Sequence, residues 1–199
     1  MNLLMALGLH LALVTPSVAS VAGLSAAVER AASPALAPEP PAAALSRAPA
    51  APATVGDEIR IDKSDHRLEV LADGVVIKTY KVAVGSGGMG PKRFEGDKTT
   101  PVGTYRVTGR FPSAFHKFLG VSYPNAEDSR RFADLKKRGE VPPGRGVGFA
   151  IGIHGVGGAE YTGVHKQTDW THGCIALDDA EIDELASLVK DGTRIVITD

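Results

Sequence analysis

Cys174 is the single cysteine in 199 residues, so it has no partner for an intramolecular disulfide. Two histidines stand close to it in sequence: His172, two positions before, and His154, twenty positions before. A thiol has a free pKa of about 8.5, and its thiolate is the reactive nucleophile. An imidazole nearby in space that accepts the proton makes the thiolate available near neutral pH. One cysteine with two such histidines therefore points to acyl transfer by thiol catalysis. Two other readings use the same residues. A lone buried cysteine is commonly an inert, small apolar side chain. His154, His172, Cys174 and His165 could also be zinc ligands, although neither Cys-x-x-Cys nor His-x-x-x-His spacing is present.

These residues need elements to position them. The apolar run Gly148-Phe149-Ala150-Ile151-Gly152-Ile153 reads as a buried strand that delivers the His154 imidazole at its edge, with a loop beginning at Gly155. A strand through 172–174 would turn His172 and Cys174 to one face, whereas a tight loop at Gly173 would point them apart. The spacing does not choose between the two. Glycine beside the cysteine also frees backbone N–H groups for an oxyanion, the second requirement of acyl transfer.

The pattern His154-Gly155, sixteen residues from 155 to 170, then Thr171-His172-Gly173-Cys174 closely resembles the signature of the YkuD-type L,D-transpeptidase catalytic domain, in which Ser or Thr precedes His-Gly-Cys. The resemblance extends upstream to Gly96-Asp97-Lys98-Thr99-Thr100-Pro101-Val102-Gly103-Thr104-Tyr105 and covers about residues 57–199. Many members carry Asn or Arg just beyond the Cys-aliphatic pair. Here Ala176 and Leu177 follow, resembling a sub-branch with Cys-Ile-Ala-Leu.

The resemblance implies a role for each matching position. Cys174 matches the acylated nucleophile and His154 its general base, with the backbone carbonyl of Gly155 orienting the imidazole. Thr171 and His172 match bracing positions, and the amides of Gly173 and Cys174 match the oxyanion hole. The implied substrate is a peptidoglycan stem peptide of a bacterial cell wall. Cys174 would attack the carbonyl of an L-configured diamino-acid residue, release the terminal D-alanine and pass the acyl group to an amine. With water as acceptor, the same acyl-enzyme would make the protein an L,D-carboxypeptidase, or an amidase that detaches a wall-linked lipoprotein. No cofactor and no metal are implied. The implied fold is a β-sandwich-like or barrel-like sheet with the catalytic loop at its edge.

The rest of the chain is read from its own patterns. Residues 1–20 hold an apolar run with Ser17 and Ala19 near its end, as in a secretory signal peptide, although no Lys or Arg precedes Arg30. The run is shorter than the roughly 20 apolar residues that span a bilayer and is interrupted by His10 and Pro16, which favours a cleaved signal over a stable membrane anchor. Between Ser33 and Ala53, six prolines and nine alanines fill 15 of 21 positions, so residues 21–56 read as a disordered linker. An extracytoplasmic protein follows, in which a single thiol avoids unwanted disulfides. A net charge of -1 and a pI near 6.6 argue against a nucleic-acid partner.

Residues 57–199 then form one mainly β domain with one or two short helices. Glu58–Asp62 and Arg67–Leu71 alternate as strands, and Asp73-Gly74 before Val75 signals a tight hairpin. A strand is also expected over Pro101–Thr108. Ala126–Gly139 reads as a charged helix. Asp178, with Glu181 three later, caps a second helix that carries Ile182, Leu185, Ala186 and Val189 on one face and is closed by Gly192, before a final strand at Arg194–Thr198. Phe111–Gly120 carries exposed-looking aromatics and His116, which reads first as a surface histidine beside a core aromatic and second as a candidate wall of a substrate groove. The loop Ala159–Trp170 could cap the site through Trp170, the only tryptophan.

Overall fold

The computed structural model describes residues 55–199; the signal peptide expected at 1–20 and all but the end of the linker expected at 21–56 lie outside the described residues. Eight strands make one sheet: β1 (Glu58–Asp62), β2 (Arg67–Ala72), β3 (Val75–Lys81), β4 (Gly103–Ser113), β5 (His116–Val121), β6 (Gly152–His154), β7 (Ile175–Ala176) and β8 (Arg194–Thr198), in the spatial order β3-β2-β1-β8-β4-β5-β6-β7. Two α-helices accompany it, α1 (Ala126–Lys137) and α2 (Asp179–Leu188). Among the described residues no helix is long and apolar enough to cross a membrane.

The alternating pattern at the N-terminus does what period-2 hydrophobicity requires. Ile59 and Ile61 of β1 and Leu68 and Val70 of β2 are fully buried, while residues between them face outward. Asp73 and Gly74 both have positive φ, 51° and 77°, the conformation a two-residue hairpin with matching twist demands. The last strand, β8, inserts between β1 and β4: it runs parallel to β1, with Ile59 opposite Ile195 and Ile61 opposite Ile197, and antiparallel to β4.

β4 is long because it serves two partners. Gly103–Arg106 pair with β8, whereas Val107–Ser113 pair with β5, and the register slips between Val107 and Gly109. Such a bulge bends a strand and lets it pass from one sheet to the next. The far edge is closed too. Ala83, just beyond β3, exchanges two backbone hydrogen bonds with Ala176 of β7 at 3.1 and 2.8 Å, and Ser86 donates to the Thr171 carbonyl at 3.0 Å. The expected barrel-like, mainly β domain is therefore present, filled by one apolar core that includes Tyr105, Leu119, Ile153, Ile175 and Leu177. α2 covers one opening, packing Ile182 and Leu185 against β5 and β6.

Three local expectations are corrected. The strand expected over Gly148–Ile153 begins only at Gly152, because Ala150 takes a φ of 56° and Phe149 is 73 % exposed. The strand expected to end at Thr108 continues to Ser113, and the aromatic segment Phe111–Gly120, for which the sequence assigns no element, forms the β4–β5 hairpin. α2 stops at Leu188, since buried Val189 is already extended; Gly192, with φ 85°, makes the turn into β8 instead of closing the helix.

Candidate functional site

β6 and β7 are parallel neighbours, with Ile153 opposite Ile175 and His154 opposite Ala176. Cys174 immediately precedes β7 and so lies level with Gly152, two residues before His154. Residues two apart on a strand face the same way, and diagonal neighbours across a pair lie within reach of long side chains. The fold thus places the half-buried thiol and the buried imidazole on one face.

The imidazole is held from all sides. His154 Nδ1 lies 2.6 Å from the Gly155 carbonyl oxygen. A carbonyl only accepts, so Nδ1 carries the proton and Nε2 keeps its lone pair. Phe115 stacks on the ring with centroids 4.7 Å apart, and Trp170 meets it edge-on at 5.9 Å. Position 155 must be glycine for lack of room: a Cβ there would stand 2.3 Å from Asp179 Oδ1 and 2.8 Å from the Phe115 carbonyl oxygen. Asp179 Oδ1 in turn accepts from the N–H groups of Val156 and Gly157 at 2.7 and 3.0 Å, fixing the chain just after the histidine.

Burial sets the protonation states. It holds the His154 imidazole below its ordinary pKa of 6.5; the Gly155 carbonyl opposes this and the nearby His165 adds to it. Burial also pushes the Cys174 thiol up, against the Gly152 N–H and the positive charge of Lys92. Both effects disfavour a resting thiolate–imidazolium pair. Both shifts favour a neutral thiol and a neutral imidazole as the resting forms, and Cys174 Sγ lies 3.6 Å from the Ala150 carbonyl oxygen.

The turn bearing the cysteine is built on Thr171, which is 3 % exposed. Its hydroxyl donates to the Cys174 carbonyl at 2.7 Å and accepts from the Gly173 N–H at 3.2 Å. The Thr100 hydroxyl approaches the same carbonyl at 3.4 Å while accepting from the Gly85 N–H at 2.8 Å. Gly173 has φ 120°, and a Cβ there would lie 2.9 Å from the Thr99 carbonyl oxygen. This turn sends His172 out to solvent while Cys174 stays inside, which separates the two histidines that the spacing left equivalent. Of the two amides expected in an oxyanion hole, that of Gly173 is engaged with Thr171 at rest.

The remaining candidates take different places. His116, with φ 70°, points at α2, where Nε2 lies 2.9 Å from Asp183 Oδ2. Trp170 stands beside the imidazole as described. Its loop is pinned to the start of α2 by His165 on Asp178 at 3.0 Å and by Lys166 on Asp178 and Glu181 at 2.8 and 2.5 Å. Among the described residues, no three His, Cys, Asp or Glu side chains converge as metal ligands would. Phe115, Asp179 and Thr100 were not singled out from the sequence. Asp179 sits in an acidic cluster that reads as helix-start charge, and nothing in the spacing ties Phe115 or Thr100 to the site.

Two cavities flank the pair. On the His154 side, Phe115, Val156, Tyr161, Val164, His165 and Trp170 help line a largely apolar space of about 680 Å³. On the Cys174 side, Lys92, Glu95, Arg145, Phe149, Ile151 and His172 help line one of about 260 Å³.

Residues 56–197 match the family model described as the L,D-transpeptidase catalytic domain. A search of curated protein sequences found no match. Among solved structures, the chain is similar to Pgp2, the helical cell shape determining protein of Campylobacter jejuni, with 23 % identity and a TM-score of 0.51 over 73 % of this chain and 50 % of that one. The K307A mutant of Pgp2 matches at 21 % identity and a TM-score of 0.51, over 72 % of this chain and 47 % of that one. The L,D-transpeptidase of Xylanimonas cellulosilytica matches at 18 % identity and a TM-score of 0.45, over 75 % and 62 %. The chain spans about half the length of Pgp2, and the likeness to it is one of fold.

Proposed function

The chain belongs to the L,D-transpeptidase catalytic domain family, and on that premise we propose that it transfers acyl groups on peptidoglycan stem peptides through a thioester at Cys174. The observation that carries this reading is the His154 Nδ1–H to Gly155 carbonyl contact at 2.6 Å, which leaves Nε2 as a base on the face shared with the thiol.

Because thiol and imidazole are both neutral at rest, the proton moves as the nucleophile attacks. Nε2 takes the Sγ proton while Sγ bonds to the carbonyl carbon of the diamino-acid residue. The resulting oxyanion is stabilised by backbone N–H groups at Gly173 and Cys174, the Gly173 N–H turning from Thr171 Oγ1 or sharing itself with the new charge. The Nε2 proton then passes to the departing D-alanine nitrogen as the C–N bond breaks. In the second half an amine acceptor gives a proton to Nε2 and attacks the thioester carbon, the C–S bond breaks, and the departing Sγ takes that proton back from Nε2, restoring the neutral thiol and imidazole. Thr171 braces the turn that aims the thiol, His172 marks its solvent edge, and Trp170 and Phe115 hold the imidazole.

The apolar cavity against His154 supports an organic acceptor in preference to water, which would make the protein a transpeptidase that cross-links the wall or attaches a protein to it. The deciding experiment is product analysis of a stem tetrapeptide with and without an added amine acceptor. Cross-linked product that needs Cys174 supports transpeptidation. A shortened peptide regardless of acceptor assigns the L,D-carboxypeptidase or lipoprotein-releasing amidase reading, and no product of either kind removes the enzyme reading. Residues 1–20 would export the chain and 21–56 tether the domain of 57–199, placing it in the cell-wall space. The fold likeness to a cell shape determining protein adds cell shape as the phenotype to score.

A further inference from the structure

The turn between β1 and β2 reaches the segment that carries the candidate nucleophile, although the two lie 103 positions apart in sequence. His66 Nε2 lies 3.0 and 3.1 Å from the two carboxylate oxygens of Asp169, five residues before Cys174. An ionised carboxylate only accepts, so Nε2 donates. Asp169 Oδ1 also accepts the Val84 N–H at 3.0 Å. That N–H needs an acceptor, because Val84 is buried and β3 ends its pairing with β2 at Lys81. Beyond Lys81, Val82 donates to the His66 carbonyl at 2.9 Å, Ala83 turns the other way to Ala176, and Val84 donates to Asp169. His66 and Asp169 thus continue the edge where β2 leaves off.

The turn is a fixed point. The His66 N–H donates to the Lys63 carbonyl at 3.2 Å, and the Lys63 N–H donates to the Thr198 carbonyl at 3.0 Å. The Lys63 side chain is fully buried, its ammonium between the Gly90 carbonyl at 2.8 Å and Asp199 at 2.5 Å. With its backbone tied on both sides, His66 anchors the Asp169 carboxylate at the cost of little further freedom.

The residue after the anchor is Trp170. Its indole stands 5.9 Å from the His154 ring, edge-on, and 5.9 Å from Phe115. Its Nε1 is buried and has no hydrogen-bond partner among the described residues. No polar contact therefore orients the ring, and its place depends on packing and on the backbone to either side. On one side Asp169 is held by His66 and Val84. On the other, the Thr171 N–H donates to the Val84 carbonyl at 3.2 Å. The indole so placed walls one side of an imidazole that is only 3 % exposed.

We propose that His66 and Asp169 are positioning residues that act as a pair, holding Trp170 against His154 so that the base stays shielded and aimed at the thiol. The inference rests on the acyl-transfer reading above and goes beyond it, assigning a part to two residues outside the Cys174–His154 pair.

Trp170 is the only tryptophan in the chain, so intrinsic fluorescence reads its surroundings alone. In the full chain, His66→Ala and Asp169→Ala should each shift the emission to the red and expose the indole to acrylamide. His66→Gln, whose side-chain N–H extends about as far as the imidazole Nε2–H, should restore the parent spectrum. Alanine and glutamine both carry a Cβ, so the φ of 50° at position 66 weighs on them alike. Acylation by a carbapenem, followed by intact mass, should show a saturated rate constant about tenfold lower in either alanine variant, with the half-saturating concentration unchanged, as a misplaced base requires. Because the two act as a pair, adding His66→Ala to Asp169→Ala should cost nothing further. Unchanged emission in His66→Ala overturns the proposal, as does a loss confined to the half-saturating concentration, or single losses that multiply in the double variant. If Asp169→Ala does not fold, His66→Ala against His66→Gln decides: rescue by glutamine supports the pair, and equal loss in both overturns it. A parent chain that the carbapenem does not acylate removes the thioester reading, and the emission spectra then decide by themselves whether the pair places Trp170.

Discussion

Replacing Thr171 by valine removes one oxygen and keeps the shape, and the turn beneath the nucleophile should fail as a result. The hydroxyl makes two hydrogen bonds, to the Cys174 carbonyl at 2.7 Å and from the Gly173 N–H at 3.2 Å. Each is worth about 1 kcal/mol net, and a buried donor left without a partner costs about 1–3 kcal/mol. The Cys174 carbonyl keeps a weaker bond to Thr100 at 3.4 Å, whereas the Gly173 N–H has no replacement in the resting turn. Thr171→Val should therefore destabilise the domain by about 2–4 kcal/mol. Thr171→Ser, which keeps both bonds, should cost about 1 kcal/mol for its lost methyl group. A displacement of the thiol of about 1 Å lowers reaction rates by up to about a hundredfold, so acylation should slow by about ten- to a hundredfold in the valine variant and a few-fold at most in the serine variant. Urea unfolding supplies the first quantity, and intact-mass kinetics of acylation by a carbapenem supply the second. A valine variant as stable as the parent and acylated as fast would refute the bracing role. One acylated faster would show instead that the Thr171 hydroxyl competes with the oxyanion for the Gly173 N–H.

His154→Ala should abolish acylation of Cys174 while His172→Ala lowers it only modestly, because the first removes the buried base and the second an exposed imidazole; intact mass after incubation with a carbapenem decides. The depressed His154 pKa carries a sign for stability. Its neutral form is favoured by the fold, so stability is full above pH 6.5 and declines as pH falls from there toward the folded-state value. Urea midpoints from pH 8 to pH 5 should show this decline, and His154→Asn should lessen it, leaving the part contributed by His165, which burial also holds below its ordinary pKa. Acylation should also persist somewhat below pH 6.5 before the base is lost, and a rate that halves at or above 6.5 would contradict the shift. A chain beginning at residue 55 should fold with an unchanged urea midpoint and acylate at the parent rate, since every element described lies within 58–198.

What could be read in advance depended on whether neighbours in sequence were also neighbours in space. β1, the β2–β3 hairpin, both helix starts and β8 carry local signals, because alternation, a turn dipeptide and capping residues act over a few positions. The β4–β5 hairpin was hidden. Pro112 interrupts its strand pattern and Phe111 and Phe115 are half-exposed, so the segment lacks alternation even though Phe115 ends up stacked on the imidazole. The Cys–His pair was visible as residue types, but spacing alone left His154 and His172 equivalent, and only the family resemblance pointed to His154. Their different placement follows from the φ of 120° at Gly173, which no local pattern specifies, and from pairing that sets His154 opposite Ala176. Lys63 is the extreme case. It is fully buried because Asp199, 136 positions later, meets its ammonium at 2.5 Å, so both residues read as ordinary surface charges until the sheet joins them.

The insertion of β8 between β1 and β4 has a bearing on when the protein can become reactive. Every residue assigned to acyl transfer precedes Asp178, so all of them leave the ribosome before the strand that joins the two halves of the sheet. β1 has β2 beside it early but waits for its second partner, 136 residues away, a long loop closure that slows folding and leaves one edge open in the meantime. Until Arg194–Thr198 arrive, β4 has only β5 beside it, and the strands β5, β6 and β7 are not yet joined through β8 to β1. Chain order thus works as a delay: the sheet is completed last, by a strand that carries none of the proposed chemistry, after the rest of the domain has emerged.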